Sequence, residues 1–536
     1  MLSFSNKKAS WALGACLLAR VQGLGGELQF PPGRNPPGCT IVETDPEEFR
    51  GRPTGIITQE MKQEILRRKR GNGAPLAPDL DVTYIERTPR YPRYRVQYSP
   101  PHKNPHLSYR EEKLQRWPFE GYVVTFHAHV INKGLRPSKE TDWVLSIDGE
   151  PLPYGRGKLK GLDPLEETVI QVKWHWQSGR HEVSFEVDSG NEIREITERN
   201  NKVSDWTDAY TFFLTVQDRA HIAHECVKNS YGSYSAESWV RSVMQWMNWS
   251  FAQCKYPTTP QGIPARVRLD YYVVHPEPWE THRKHPMDPF FDATWMHCPS
   301  GVPRRNEAME QYRERIENAC IEYAESNSSY HALKKACDKN LAKQLGGQLG
   351  LINLHRMHLH QNRCFVRTQK GPYLRDLFPQ KASHRPGIKG LMEYGNPARL
   401  IWSEHSANAL KNDYCRRRGY AGDFLLDLPE RSYVRFLDKR NKPVAKAVLT
   451  VYQSEGDKVA DEVKRRGMTD ENGFFDLGGN PFGEVNVRGS NGLLLFRVER
   501  AEKDDVDWVW LNILDLYLAK QRGQVTRAVI SLKTTF

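Results

Sequence analysis

The sequence contains no apolar run near the ~18–20 residues that a membrane-spanning helix needs, so no span is expected. It has no Gly-x-Ser-x-Gly elbow, no phosphate-binding loop and no dinucleotide fingerprint, which removes the commonest signatures of hydrolases, nucleotidases and dehydrogenases. None of its nine cysteines forms a Cys-x-x-Cys pair, so a cysteine-held zinc is disfavoured. Apolar residues are scarce, at 38%, and mean hydropathy is −0.69. Against this stand 14 Trp, 23 Tyr and 20 Phe, a supply of apolar surface that disordered chains lack. The length of 536 residues corresponds to about three or four domains. Lys and Arg number 77 against 65 Asp and Glu, a net +12. That excess suggests anionic partners, but spread over so long a chain its location matters more than its sum.

The N-terminus has the order of a short export signal: Lys7 and Lys8, an apolar run from Trp11 to Ala19, and small residues near Gly23. Residues 1–23 are read as a signal peptide, with Arg20 a defect in the pattern. Leu13-Gly14-Ala15-Cys16 also resembles a lipobox, so a lipid anchor at Cys16 ranks second and a cytosolic N-terminus third. Without Cys16 eight cysteines remain, an even number that permits disulfides in an exported protein. From 24 to 118 eight prolines between Pro75 and Pro118 predict an irregular arm, with one helix around Thr58 to Arg70. Its basic end, Arg67-Arg68-Lys69-Arg70, is read as a solvated helix terminus. Tyr91, Tyr94 and Tyr98 alternate with arginines, a pattern that could stack on single-stranded nucleic acid, or lie across a folded domain, which is favoured.

From Gly121 the pattern changes to period two. Val124, Phe126, Ala128 and Val130 share one strand face; Asn132-Lys133-Gly134 and Asp148-Gly149 mark turns, and alternating strands continue to Val216. Such spacing indicates a β-sandwich over 119–216. The pieces "VINKG" and "SGRHEVSFEVDSGNEIREITERNN" resemble a CARDB domain, an immunoglobulin-like module of bacterial surface and secreted proteins. Asn200 and Asn201 at its end are read as turn formers.

Residues 217–430 show helical spacing: a helix capped by Ser235, another from Met309 to Tyr323, and "LAKQLGGQLGLINL" from Leu341 to Leu354. The last resembles the zincin metallopeptidase pattern His-Glu-x-x-His-x-x-Gly-x-x-Asp. That resemblance implies two zinc-binding histidines one helical turn apart and a glutamate that polarises the zinc-bound water. Here Lys343 and Gly347 stand at the histidines, Gln344 at the glutamate and Asn353 at the third ligand, while Gly350 keeps the turn glycine. An ammonium repels a cation, an amide is no general base, and glycine offers no ligand, so no catalytic residue is assigned. The plain alternative is a helix that buries Leu341, Leu345 and Leu349.

Other candidates are weaker. His355, His358 and His360 could bind zinc or copper. His221-Ile222-Ala223-His224-Glu225 resembles an inverted zinc motif in the wrong order. Ser403-Glu404-His405 are neighbours on one helix and do not face each other. Asn248 and Asn327 open glycosylation sequons that matter only in a eukaryotic secretory route. Residues 431–536 return to strands, and "YVRFLDKRNKPVAKAVLTVYQ" with "TDENGFFDL" resembles a transthyretin-like or carboxypeptidase-regulatory β-sandwich, its hairpins turned at Asn441-Lys442-Pro443 and Asn472-Gly473.

The expected architecture is thus multidomain: an Ig-like β-sandwich, a mainly α zincin-like domain without zinc ligands, and a C-terminal β-sandwich. The expected function is that of an exported, non-catalytic binding or cell-adhesion scaffold, secreted or at the cell surface. It would use no cofactor, and its partner would be a protein or cell-surface glycan. Two alternatives stand: a secreted metal-dependent hydrolase using an unrecognised ligand set such as the three histidines, and a basic surface protein binding anionic polysaccharide or nucleic acid through residues 60–116, with nucleic acid the less favoured partner.

Overall fold

A computed structural model describes residues 44–53, 57–91, 117–226, 235–275, 285–297, 339–352, 402–412, 422–455, 458–460, 462–483, 491–500 and 505–536, with isolated positions at 308–318, 354 and 391–392. Chain order begins with helix α1 (Gln59–Gly71) and strands β1 (Leu80–Thr88), β2 (Val123–Asn132), β3 (Thr141–Ile147), β4 (Glu150–Leu159), β5 (Glu167–His175), β6 (Glu182–Val187) and β7 (Lys202–Trp206). The strands form two sheets, β1-β2-β5 and β4-β3-β6-β7. Between them Val124, Phe126, Ala128, Val130, Leu145, Val183 and Phe185 are buried, the alternation expected of facing sheets. Asp148 and Gly149, both at positive φ, turn the β3–β4 hairpin as their sequence suggests.

Two boundaries differ from the sequence expectation. The 24–118 segment is not irregular throughout, because β1 lies within it and pairs with β2 along its whole length. All nine residues of β1 are buried. Its parity shifts at a bulge between Val82 and Tyr84: Leu80, Val82 and Ile85 face the sandwich core, and Tyr84 faces the other way, into a different core. A bulge combined with burial on both faces removes the period-two signature. At the other end, β8 (Tyr210–Gln217) does not close the sandwich. It is the centre of a three-stranded parallel sheet, β10-β8-β9, with β9 spanning Val267–His275 and β10 Ala293–His297.

The central region is therefore an α/β unit rather than a mainly α one. Helices α2 (Asp218–Glu225) and α3 (Ala236–Gln253) connect β8 to β9, followed by α4 (Lys339–Gln348) and α5 (Glu404–Lys411). Parallel strands need such crossovers, and with both faces covered they read as continuous apolar runs rather than alternating ones. "YTFFLTVQ" is buried throughout. Ser235 caps α3 as expected, in a reciprocal box with Ser238. The helix expected over Met309–Tyr323 falls mostly outside the described residues.

Strands β11 (Arg431–Leu437), β15 (Phe474–Gly478) and β18 (Arg527–Lys533) make one C-terminal sheet. Strand β12 (Val448–Glu455), with β13 (Lys458–Val459), β14 (Arg465–Met468), β16 (Leu493–Arg500) and β17 (Asp505–Asn512), makes the other. The turn at Asn441-Lys442-Pro443 forms, with an antiparallel bridge between Leu437 and Pro443, but β11 and β12 continue into different sheets. After β17 the chain forms helix α6 (Ile513–Gln521), where a mostly β tail was expected. Tyr517 on α6 accepts a hydrogen bond from Asn408 at 2.7 Å and packs at a tilt against Phe424, ring centroids 5.1 Å apart. One apolar core consequently runs from the parallel sheet through α4 and α5 into the C-terminal sheets, so the expected division at residue 430 is not a division of the core.

Gly134 follows Lys133 in the turn after β2. A Cβ there would lie 2.3 Å from the Ala77 carbonyl oxygen and 2.6 Å from Pro78, both rigid backbone. We expect Gly134→Ala to cost roughly 2–3 kcal/mol in chemical denaturation. Gly149→Ala, at φ +84° with open space around its Cβ, should cost about 1 kcal/mol from backbone conformation alone.

Candidate functional site

Three places in the fold collect polar chemistry. The first is α4. Leu341, Leu345 and Leu349 are buried in the large core, and Gly346 packs so closely on Trp402 that a Cβ would come within 2.8 Å of its ring. Lys343 and Gly347 are half-buried and Gln344 is exposed, on the opposite side of the helix. Gln344 Oε1 accepts the Trp295 indole N–H at 2.7 Å. Gln348 Oε1 accepts from the Thr294 backbone N–H at 2.7 Å, and its Nε2 donates to the Thr294 carbonyl. One side-chain amide thus satisfies both backbone groups of Thr294 on β10, as a neighbouring strand would. Gly350, at φ +94°, ends the helix as the sequence predicts. Asn353, His355, His358 and His360 lie outside the described residues.

The second place is the junction between the sandwich and the α/β unit, where charged residues are sealed. Lys133, 3% exposed, reaches Glu225 at 2.9 Å, Glu237 at 2.6 Å and Asp81 at 3.3 Å. Lys69, at the end of α1, meets Glu225 at 3.2 Å and donates to the Lys133 carbonyl at 2.9 Å. Arg241 lies 3.7 Å from Asp81. Three cations therefore answer three carboxylates. Burial opposes charge on Lys133, but Glu225, Glu237 and Asp81 outweigh it and raise the ammonium's pKa; Glu225 is correspondingly held low against burial by Lys133 and Lys69. His221, Glu225 and Glu237 offer ligand atoms within 4.8 Å of one another, so two of the inverted-motif residues, His221 and Glu225, converge with Glu237 from α3. The ammonium of Lys133 already lies on both carboxylates. His221 bonds the Tyr272 hydroxyl at 2.7 Å, and burial lowers its pKa.

A second sealed set lies beside it. Arg90 contacts Asp270 at 2.6 Å, Glu86 at 2.8 Å and Asp45 at 3.1 Å, with its guanidinium over the Phe291 ring at 4.8 Å. Glu86 also accepts from the Gly51 N–H at 3.1 Å and pairs with His129 at 3.3 Å. Burial alone would raise the Glu86 carboxyl, but Arg90 and His129 hold it down at about 2. His129 is bracketed on its other nitrogen by Glu167 at 2.9 Å and stacked on Tyr84 at 4.1 Å. Fixed multiple pairing of this kind suits holding two surfaces in register rather than proton transfer.

The third place is the segment from Asp188 to Asn201, between β6 and β7. Asp188, Glu195 and Glu198 present oxygens within 4.8 Å of one another.

Other candidates resolve plainly. Ser403 caps α5, accepting from the Ser406 N–H at 3.3 Å, and Glu404 pairs with Arg522 at 2.6 Å. The basic end of α1, expected to be solvated, is partly paired and buried: Glu64 pairs with Arg67 at 2.8 Å and Arg68 at 2.5 Å, and Lys69 is buried; residues 92–116 of the basic segment lie outside the described residues. Cys226 and Cys254 are free thiols, and burial raises their pKa values to about 12 and about 11. No helix among the described residues is long and apolar enough to cross a membrane.

Residues 104–205 match the CARDB family model, so the chain contains a CARDB domain. The CARDB domain of a Pyrococcus furiosus protein, a crystal structure described as a complex with di-metal ions, is similar at 21% identity, over 24% of this chain and 86% of that one, with a TM-score of 0.17. A solution NMR structure of the same domain matches at 19% identity, over 25% and 94% of the two chains, with a TM-score of 0.17. A domain of a Methanosarcina acetivorans protein assigned to the cell surface matches at 22%, over 15% and 72%, with a TM-score of 0.13. Comparison with curated proteins finds no match.

Lys133→Met should leave three buried carboxylates short of a cation and cost about 3–5 kcal/mol in denaturant unfolding. Lys343→Met, at a half-exposed position, should cost under about 1 kcal/mol. Glu86 adds a pH signature. Its folded pKa, about 2, lies below the ordinary 4.5. Its contribution, roughly 3 kcal/mol, is therefore fully present above the unfolded value and lost as pH falls from 4.5 through about 2. Melting temperatures between neutral and acid pH should fall less steeply for Glu86→Gln, which starts lower at pH 7.

Proposed function

We propose that this chain is a non-catalytic binding scaffold, exported to the cell surface or secreted, in which a CARDB domain is clamped to an α/β unit whose peptidase-like helix holds no metal. One observation carries this reading. On the single face of α4 where metal chemistry would have to sit, Lys343 offers an ammonium, Gly347 no side chain, and Gln344 an amide already bonded to Trp295. The Gln348 clamp on Thr294 adds to it, because it occupies the strand edge along which an extended peptide could pair. The Methanosarcina domain comes from a protein assigned to the cell surface, which does not carry the argument. The export signal at residues 1–23, a bacterial origin, the C-terminal module's likeness to carboxypeptidase-regulatory sandwiches, and a protein or glycan ligand belong to the same proposal.

Metal analysis of the purified full chain should find well under one zinc per molecule, with casein hydrolysis no faster when zinc is added. One tightly held zinc per chain, or zinc-dependent hydrolysis, would sink the reading in favour of a hydrolase. On immobilised heparin the protein should elute at low salt, because the basic end of α1 is internally paired; retention that falls steeply only at high salt would instead favour an anionic ligand.

A further inference from the structure

We infer that the Asp188–Asn201 segment of the sandwich is a binding site for a divalent cation of calcium type, held by Asp188, Glu195, Glu198 and the side-chain oxygen of Asn201. The argument starts from a contrast between two acidic groups in one domain. Around Lys133, every carboxylate has a cation: Asp81, Glu225 and Glu237 are all within 3.3 Å of its ammonium. The Asp188, Glu195 and Glu198 oxygens are gathered just as tightly, yet among the described residues no Lys or Arg side chain pairs with any of them. Like charges this close repel, and among the described residues the fold holds these three acids together without pairing them to a cation.

Two further buried side chains beside these acids point the same way. Asn201 is 6% exposed. Its Nδ2 lies 3.0 Å from both Glu195 Oε1 and Glu198 Oε2, so the amide is aimed into the group, and its Oδ1 is buried without a donor. Half a rotation about χ2 would exchange the two atoms and direct a carbonyl oxygen toward a cation between the glutamates. Next to it Asp79, fully buried, has an Oδ2 without a donor and is bonded through Oδ1 to Asn200 at 3.3 Å. Burial raises Asp79 to about 8, with Asp81 and Glu195 adding to the rise. Buried oxygens without donors are rare and need a cause, and a missing cation supplies one.

The ligand set fits calcium. Hard oxygen donors, carboxylates with an amide carbonyl, are its usual coordination, at 2.3–2.6 Å. A group whose oxygens lie within 4.8 Å of one another can all touch one ion of that size. The positions are fixed from behind. Asp188 is anchored by the Thr141 hydroxyl at 2.7 Å and by the N–H groups of Glu192 and Ile193 at 3.0 Å. Glu195 Oε2 accepts from the Leu80 N–H, and Glu198 Oε1 from the Glu195 N–H at 3.3 Å. The inference does not rest on the scaffold reading; a catalytic or a non-catalytic protein could carry this site.

The test uses the full chain stripped with chelator and titrated calorimetrically with calcium alone. One saturable calcium per chain, with a higher melting temperature in its presence, is the expected result. Glu198→Gln, which keeps its hydrogen-bond acceptor, should weaken binding by about tenfold or more, while Lys343→Met should leave it unchanged. No saturable uptake by the wild-type chain up to about 10 mM calcium, well beyond the weakest extracellular sites, would overturn the inference whether or not any variant folds. Unchanged affinity in folded Glu198→Gln would overturn this ligand set.

Discussion

The packing of both faces of the β1-β2-β5 sheet decides most of this structure. A sheet at the edge of an immunoglobulin-like sandwich ordinarily turns one face to water. Here its outer face is pressed against the α/β unit, and the polar side chains on that face, Glu86, His127 and His129 among them, have no solvent to meet. Isolated charges in such a position would cost far more than a domain can supply. The sequence answers with cations from both sides: Arg90 just after β1, Lys133 just after β2, Lys69 from α1 and Arg241 from α3. Each reaches carboxylates on a different element. A pair buried this way contributes little net stability compared with apolar packing, but breaking it is expensive. The junction therefore fixes the relative placement of its two halves more strongly than it strengthens either.

That constraint also settles the meaning of the histidines and acids on α2 and α3. Three ligand-type atoms converging in a buried pocket resemble a metal centre when viewed alone. The lysine in their midst makes the difference: its ammonium supplies the positive charge and donates the hydrogen bonds that would otherwise be missing. Burial pushes His224 down to about 3, so it is neutral and contributes packing, its ring stacked on Trp239. The positive charge among these ligand-type atoms is thus the ammonium of Lys133.

Much of the architecture was legible where local rules act alone. The alternation in β2, the Asp148-Gly149 turn, the Ser235 cap and the leucines of α4 each report a single face or a single turn, and each is found. The misses share one cause. β1 contains the buried charges Asp81 and Glu86, whose partners Lys133, Arg241 and His129 come from other elements, and the bulge at Val82–Tyr84 breaks its period. β8 reads as one more sandwich strand because a short apolar run has the same appearance in a parallel sheet. Its partners β9 and β10 lie far along the chain. Lys133 was read only as part of a turn; the residues that explain a lysine there, Glu225 and Glu237, follow it by about ninety to a hundred positions.

The same reasoning separates the two acidic groups of the sandwich region more sharply than sequence spacing could. The junction group draws Asp81, Glu225 and Glu237 from three separate elements, whereas the other takes its three acids from one short stretch. The group at the junction is enclosed by another part of the chain, and that part brings cations with it. The Asp188–Asn201 segment instead bends back on its own domain: the Ile196 N–H reaches Pro78, and the Asn200 carbonyl accepts from Val82. A self-contained turn has no second surface from which to recruit a lysine. If its carboxylates are to be neutralised while staying where Thr141, Leu80 and the backbone hold them, the charge has to come from solution. A domain can be rigid at one end because its counter-charges are covalently part of it, and dependent on its ionic surroundings at the other because they are not.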